Sequence, residues 1–188
     1  MATIKPALAI TLAHEGYYAN DPADTGGETY RGIARKHNPN WSGWTIIDEQ
    51  KKKAGFPSNL KTVMSSLEVY VSKYYKSQYW DPNNLDLINS QPIANELFDT
   101  GVNMGTGIAA RLLQEALNLC NRNQQDYPDM RVDGQVGPVT LKTLNGHSRP
   151  QSVLKALNVL QGQRYIYICE RKPSQEKFFM GWLERVTV

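Results

Sequence analysis

Between His14 and Ile33 the chain crowds carboxylates, hydroxyls and turn-forming residues: His14-Glu15-Gly16-Tyr17-Tyr18-Ala19-Asn20-Asp21-Pro22-Ala23-Asp24-Thr25-Gly26-Gly27-Glu28-Thr29-Tyr30-Arg31-Gly32-Ile33. Asp24 stands nine positions after Glu15, and Thr29 five after Asp24. Two carboxyl groups across a cleft are what glycosidic hydrolysis asks for. One, kept protonated by an apolar site, protonates the leaving oxygen, and the other acts near the anomeric carbon. Glu15 continues the apolar face Ile4, Leu8, Leu12 and stands where that helix should end. Desolvation there raises a carboxyl pKa, and the negative end of the helix adds to the effect. Glu15 is therefore the candidate general acid, with activity expected to fall as pH rises through its pKa. Asp24 is the candidate partner, stabilising charge or taking a proton, and Thr29 the hydroxyl that holds the attacking water. Asp21 and Glu28 compete for the second carboxylate's role, and Asp21 and Tyr30 are candidate substrate contacts. The same loop also reads as a plain turn, with Asp21 capping backbone N–H groups before Pro22 and Glu28 solvated.

Those groups need elements to hold them. The spacing predicts a helix over residues 3–15 stopped by Gly16, then turns or a small hairpin over 16–33. Residues 38–60, with Pro39, Gly43, Gly55 and Pro57, read as irregular. A helix is expected after Ser65, where Ser65-Ser66-Leu67-Glu68 fits a capping box. Leu67, Tyr70, Val71, Tyr74 and Tyr75 form its stripe, and Asp81-Pro82 ends it. From residue 92 the chain reads as almost wholly helical. Ile108, Leu112, Leu113, Ala116, Leu117 and Cys120 make one stripe, and Val153, Leu157, Leu160 and Ile168 a second. Phe178, Phe179, Trp182, Leu183 and Val186 make a third. The fold class is mainly α with at most a small β-hairpin near residues 17–33. A seam near 88–92 divides a region 1–90 from a helical region 91–188, the two expected to pack as one compact unit.

Composition excludes several classes. Forty per cent hydrophobic and 21% charged residues over 188 positions are ordinary globular proportions. A net charge of +3 is too small to argue for nucleic acid, though a mildly basic surface suits an anionic polymer. The run Lys51, Lys52, Lys53 reads as a solvated stretch. Cys120 and Cys169 fall in apolar helical patterns and read as buried free thiols. His14, His37 and His147 are scattered, so no zinc site is expected, and no cofactor. No run approaches a membrane span, and the N-terminus shows no secretory h-region or cleavage site. Synthesis in the cytoplasm without a recognisable signal peptide is expected, with another agent carrying the chain to any external substrate.

Glu-Gly-x-Tyr at 15–18, followed by Asn-Asp-Pro-x-Asp-x-Gly-Gly-x-Thr-x-x-Gly-Ile at 20–33, resembles the signature of glycoside hydrolase family 108. Its members are phage-endolysin-like N-acetylmuramidases, some labelled secretion activators. The resemblance implies a lysozyme-like fold and Glu15 as the essential glutamate. The order Glu, Asp nine later, then Thr is also similar to phage-type lysozymes, in which Glu is the acid while Asp and Thr manage the water. Two residues separate Thr29 from Gly32-Ile33 where that related pattern has one. Tyr17 stands where many family members carry a second Gly.

Residues 92–188 resemble the peptidoglycan-binding region that accompanies this catalytic family. The matching pieces are Phe98-Asp99-Thr100-Gly101-Val102-Asn103-Met104-Gly105, the helix 110–117, and Val132-Asp133-Gly134-Gln135-Val136-Gly137-Pro138-Val139-Thr140. Physically, Asp133-Gly134 is a turn and Pro138 opens a helix. Asp99 and Asn103, four apart on a helix, face either substrate or an internal partner. Tyr74, Tyr75, Tyr79 and Trp80 are candidates for sugar stacking, Tyr79 the one taken as a substrate contact, and Arg111 for a peptide-stem carboxylate.

The resemblance implies cleavage of the β-1,4 bond between N-acetylmuramic acid and N-acetylglucosamine at the bacterial wall or periplasm, by a monomer. A holin or a secretion apparatus stands open as a partner. A lytic transglycosylase and a non-catalytic wall-binding or secretion-assembly protein are the rival readings.

Overall fold

Helical periodicity shapes most of the chain in the computed structural model, which describes residues 1–13, 16–20 and 27–186. The first helix, α1 (Ile4–Ala13), buries Ala7, Thr11 and Leu12 while Leu8 is half-buried. Its buried edge is thus built from small and hydroxyl side chains as well as leucine.

A three-stranded antiparallel meander follows: β1 (Tyr18–Ala19), β2 (Thr29–Tyr30) and β3 (Ile33–Ala34). Tyr18 faces Tyr30 across β1 and β2, and Tyr30 faces Ile33 across β2 and β3. The expected hairpin gains a third strand because Arg31-Gly32 forms a two-residue turn. Both residues have positive φ, 48° and 75°. That is the type I′ geometry that matches strand twist, and Gly32 adopts it freely.

Residues 43–51, read as irregular from their sequence, form α2 (Gly43–Lys51). Nine residues leave room for one short buried edge, Trp44, Ile47 and Gln50, too brief for periodicity to stand out. Gly43 is there for space, since a Cβ would lie 2.1 Å from the Trp41 ring. Helix α3 (Met64–Tyr75) follows and buries Leu67, Val71 and Tyr75. The capping box does not form: the N-cap is Val63, without a side-chain cap, and Glu68 turns to Arg31 instead. A single π turn, Lys76–Trp80, and a 3₁₀ turn, Asp81–Asn83, then end the helix as Asp81-Pro82 requires.

Helices α4 (Gln91–Met104), α5 (Thr106–Cys120), α6 (Pro138–Gly146), α7 (Pro150–Arg171) and α8 (Phe179–Leu183) complete the chain. Between α5 and α6 the expected helical continuity fails. Amides on α5 staple an irregular segment instead: half-buried Asn118 donates its Nδ2 to Met130 O (2.8 Å), and buried Gln114 its Nε2 to Asp133 Oδ1 (2.8 Å). Gly134 turns there with φ +79°, and Pro138 opens α6, as the Asp-Gly and Gly-Pro pairs indicate. The third apolar stripe does not become core: α8 has five residues, and Phe178 and Leu183 are 47% and 39% exposed. Cys169 is buried and Cys120 half-buried, both free thiols. No described helix is long and apolar enough to cross a membrane.

The chain divides into two compact units, Leu8–Gln78 and Met1–Ala7 with Tyr79–Val188. The first is cored by Tyr30, Ile33, Trp44, Ile47, Leu60, Leu67 and Val71. The second packs α4, α5 and α7 around Ile93, Leu97, Phe98, Leu113, Leu117 and Leu157.

Candidate active site

Of the residues singled out for chemistry, Glu15, Asp21 and Asp24 lie outside the described residues. Thr29 and Tyr30 are neighbours on β2 with opposite fates, since consecutive strand residues point to opposite faces. Thr29 is half-buried, and its Oγ1 donates to Gly27 O at 3.2 Å. Backbone pairing on both sides, to Ala19 and Ala34, makes β2 a firm mount for it. Tyr30 is wholly buried, its ring stacked on Trp41 (6.1 Å between centroids) and edge-on to Tyr17 (5.7 Å). Burial, then the neighbouring Tyr17, raises the phenol's pKa, so Tyr30 is a neutral strut between the sheet and Trp41.

Around the sheet the charges are fixed in pairs. Glu28, expected to be solvated, is only 9% exposed at its side chain. Arg35 Nε (2.8 Å) and Lys51 Nζ (2.7 Å) hold its two oxygens, and Tyr18 OH donates to it at 3.1 Å. Lys51 thus leaves the solvated lysine run to take part in this cluster. Arg35 also grips Asp48 with two N–H groups, at 3.0 and 2.7 Å, which holds that carboxyl below the usual range. Burial and then the Glu28 charge push the Tyr18 phenol up to about 12. At the turn, Arg31 lies 4.2 Å over the Tyr17 ring and pairs with Glu68 at 3.1 Å. Tyr75 OH donates to Arg31 O at 2.8 Å. These contacts hold a non-glycine residue at positive φ. Nothing in the spacing of Arg31, Arg35 or Glu68 announced these roles, because every partner except the loop itself is distant in sequence.

In the other unit, Asp99 and Asn103 of α4 both find internal partners. Arg185 Nη1 donates to Asp99 Oδ1 at 2.8 Å, and Asn103 Nδ2 donates to Tyr165 OH at 3.0 Å. Tyr165 in turn stacks on Trp182, 5.2 Å away. Tyr79 is half-buried, with its carbonyl 4.0 Å from the space a Cβ on Gly101 would fill. Trp80 and Tyr75, offered for stacking on sugars, are core residues, with Trp80 Nε1 donating to Asp86 at 2.7 Å. One buried acid escaped notice in the sequence: Glu96 of α4. Burial, then the neighbouring Asp99, pushes its pKa up to about 7. Thr100 Oγ1 donates to it at 3.2 Å and receives Gln161 Nε2 at 2.9 Å. The signal was available, since Ile93, Glu96, Leu97 and Thr100 share one helical face. Among the described residues no group of three His, Cys, Asp or Glu side chains could hold a metal ion.

Comparisons with known proteins agree with this architecture. The family model described as Glycosyl hydrolase 108 matches residues 8–105, just over half of the chain. A second model, Predicted Peptidoglycan domain, matches residues 108–187. No curated protein matches the chain. The solved structure of SagA from Brucella abortus is similar, with a TM-score of 0.60 at 18% identity, over 96% of this chain and 87% of that one. At that identity the likeness speaks for the fold, which is mainly α and lysozyme-like. With its family match running over residues 8–105, through the whole carboxylate-rich segment of the sequence, the chain belongs to the glycosyl hydrolase 108 family and is a glycoside hydrolase acting on peptidoglycan.

Proposed function

We propose that the chain is an N-acetylmuramidase, cleaving the β-1,4 bond between N-acetylmuramic acid and N-acetylglucosamine, with Glu15 as general acid and Asp24 and Thr29 assisting. The observation that carries this reading is the family match across residues 8–105, which takes in all three positions. The chemistry follows from residue types. Glu15 stands four positions after Thr11 and three after Leu12, both buried on α1, and an apolar surrounding would favour the protonated acid. Once the leaving sugar takes that proton, the cation-like centre needs a negative neighbour and a placed water. Asp24 has the charge for the first task. The Thr29 hydroxyl, mounted between two backbone-paired neighbours, suits the second. Glu28 is set aside for the first task, because Arg35 and Lys51 hold its two oxygens. Tyr30 serves indirectly, by fixing the strand that carries Thr29, and Asp21 and Tyr79 stand as proposed substrate contacts, whereas Asp99 and Asn103 are taken up by Arg185 and Tyr165. Peptidoglycan strands are the partner, met by a monomer at the wall or in the periplasm.

The test is digestion of purified sacculi by wild type and Glu15→Gln. Wild type is expected to clear the suspension and leave reducing muramic acid ends. The variant should bind sacculi yet lose clearing by at least about a hundredfold, the scale of a lost proton donor. Equal clearing by the two proteins removes Glu15 from the acid's role. Anhydro-muramic ends would mark a lytic transglycosylase, and binding without any cleavage by wild type a wall-binding protein. The wild-type pH–rate profile should fall on the alkaline limb as the acid loses its proton.

A further inference from the structure

Between α5 and α7 lies an open groove of about 290 Å³ whose walls come from these two helices alone. Ile108 and Leu112 of α5 and Leu160 of α7 give it an apolar floor. Each helix sends one arginine to it, Arg111 from α5 and Arg164 from α7. At the α7 wall Tyr167 is 44% exposed, with two guanidiniums over its ring, Arg164 and Arg171, each 5.4 Å from the centroid. Among the described residues neither of those two arginines meets a carboxylate at ion-pair distance, and Arg111 gives one N–H to Val132 O at 3.1 Å. Two guanidiniums, Arg111 and Arg164, therefore line a partly apolar hollow that contributes one carboxylate, Glu115, with Arg171 against the Tyr167 ring. Aromatic contact stabilises such cations only modestly in water, so most of their donors stay unused.

These features specify a ligand. Planar guanidiniums with spare N–H pairs match carboxylates two bonds at a time. A small apolar floor suits methyl-sized side chains better than a sugar's hydroxyls, which would lose water there. Glu115 and the Gln163 amide supply acceptors for an ammonium or amide group. A short peptide with free carboxylates, methyl side chains and one ammonium answers to all three. We infer that the α5–α7 groove binds the peptide stems of peptidoglycan through their carboxylates, anchored by Arg111 and Arg164 with Tyr167 as the wall. This inference rests on the chain's action on peptidoglycan; it adds a second, peptide-reading site to the glycan-cleaving one.

The probe is the tetrapeptide L-alanyl-γ-D-glutamyl-L-lysyl-D-alanine, titrated calorimetrically into the full chain at low salt. Controls are the same peptide with its carboxylates amidated, and an uncharged N-acetylglucosamine tetramer. The free tetrapeptide should bind, and amidation or Arg164→Gln should each weaken binding by about tenfold, the value of one charge-assisted contact. Unchanged affinity after amidation, no binding of the free peptide, or equal binding of the sugar tetramer would overturn the proposal. Arg164 makes no hydrogen bond among the described residues, so its variant should melt with wild type. If it does not, the free and amidated peptides on the wild-type chain decide the matter alone. Wall clearing by the same preparations keeps the two questions apart. Clearing without tetrapeptide binding removes the groove's role and leaves hydrolysis standing, while tetrapeptide binding without clearing does the reverse.

Discussion

Glu96 shows how one residue's surroundings set a property of the whole fold. Its carboxyl is buried beside Asp99, whose own charge is met by Arg185. With a folded pKa of about 7 against 4.5 for an ordinary glutamate, the folded chain holds a proton that the unfolded chain has released. The stability Glu96 contributes is therefore complete below pH 4.5 and lost as pH rises through 7. Glu96→Gln keeps an oxygen for the Thr100 hydroxyl and cannot ionise. Relative to wild type it should gain on the order of 3 kcal/mol between pH 4 and pH 8. Urea denaturation of both proteins at several pH values reads this directly, and parallel curves would show that the acid titrates like an exposed one. Glu28 is the opposite case: its position in a turn-rich loop suggested solvent, and two cations from elsewhere in the chain enclose it.

At the scale of elements, short pieces depend on neighbours more than on their own pattern. The type I′ turn at Arg31-Gly32 closes the sheet that carries Thr29, and the aromatic pile of Tyr17, Tyr30, Trp41 and Trp44 backs it. Helix α2 begins under the Trp41 ring, and only glycine leaves room there. Gly43→Ala should push Trp41 off both Tyr30 and its hydrogen bond to Tyr70 O. The loss expected is about 1–3 kcal/mol, the usual range for overpacking. A melting temperature within a degree of wild type would mean that Trp41 swings aside freely. The capping-box reading at Ser65 failed for the same reason. An isolated helix would use Glu68 for its own N-terminus, whereas the folded unit gives that carboxylate to Arg31.

Across the whole molecule, the first residues belong with the last hundred. Ala2 N donates to Ile88 O at 2.7 Å, Thr3 N to Gln91 Oε1 at 2.8 Å, and Gln91 Nε2 to Thr3 O at 2.9 Å. Removing Met1–Thr3 should thus destabilise the unit containing α4 to α8 by about 2–3 kcal/mol, roughly one per hydrogen bond. Hydrogen exchange should show the loss in α4 more than in α3, and equal protection in both proteins would mean that this tie is dispensable. The family models and the compact units also divide the chain at different places, 105 to 108 against 78 to 79. Helix α4 therefore lies inside the glycosyl hydrolase match yet packs with the helices of the peptidoglycan-domain match.

The sequence by itself determined the long helices, the small hairpin of β1 and β2, the Asp133-Gly134 turn, the Pro138 helix start and the family, because each depends on neighbours within a few positions or on an ordered motif. Only the tertiary structure decided that Glu28 is enclosed, that Glu96 is buried, that Asp99 and Asn103 turn inward to Arg185 and Tyr165, and that residues 43–51 are helical. It also decided which arginines on α5 and α7 share one groove. The physical reason is range. Backbone preference acts within a turn or two of the chain, whereas burial and charge pairing act between side chains that meet only when distant segments pack.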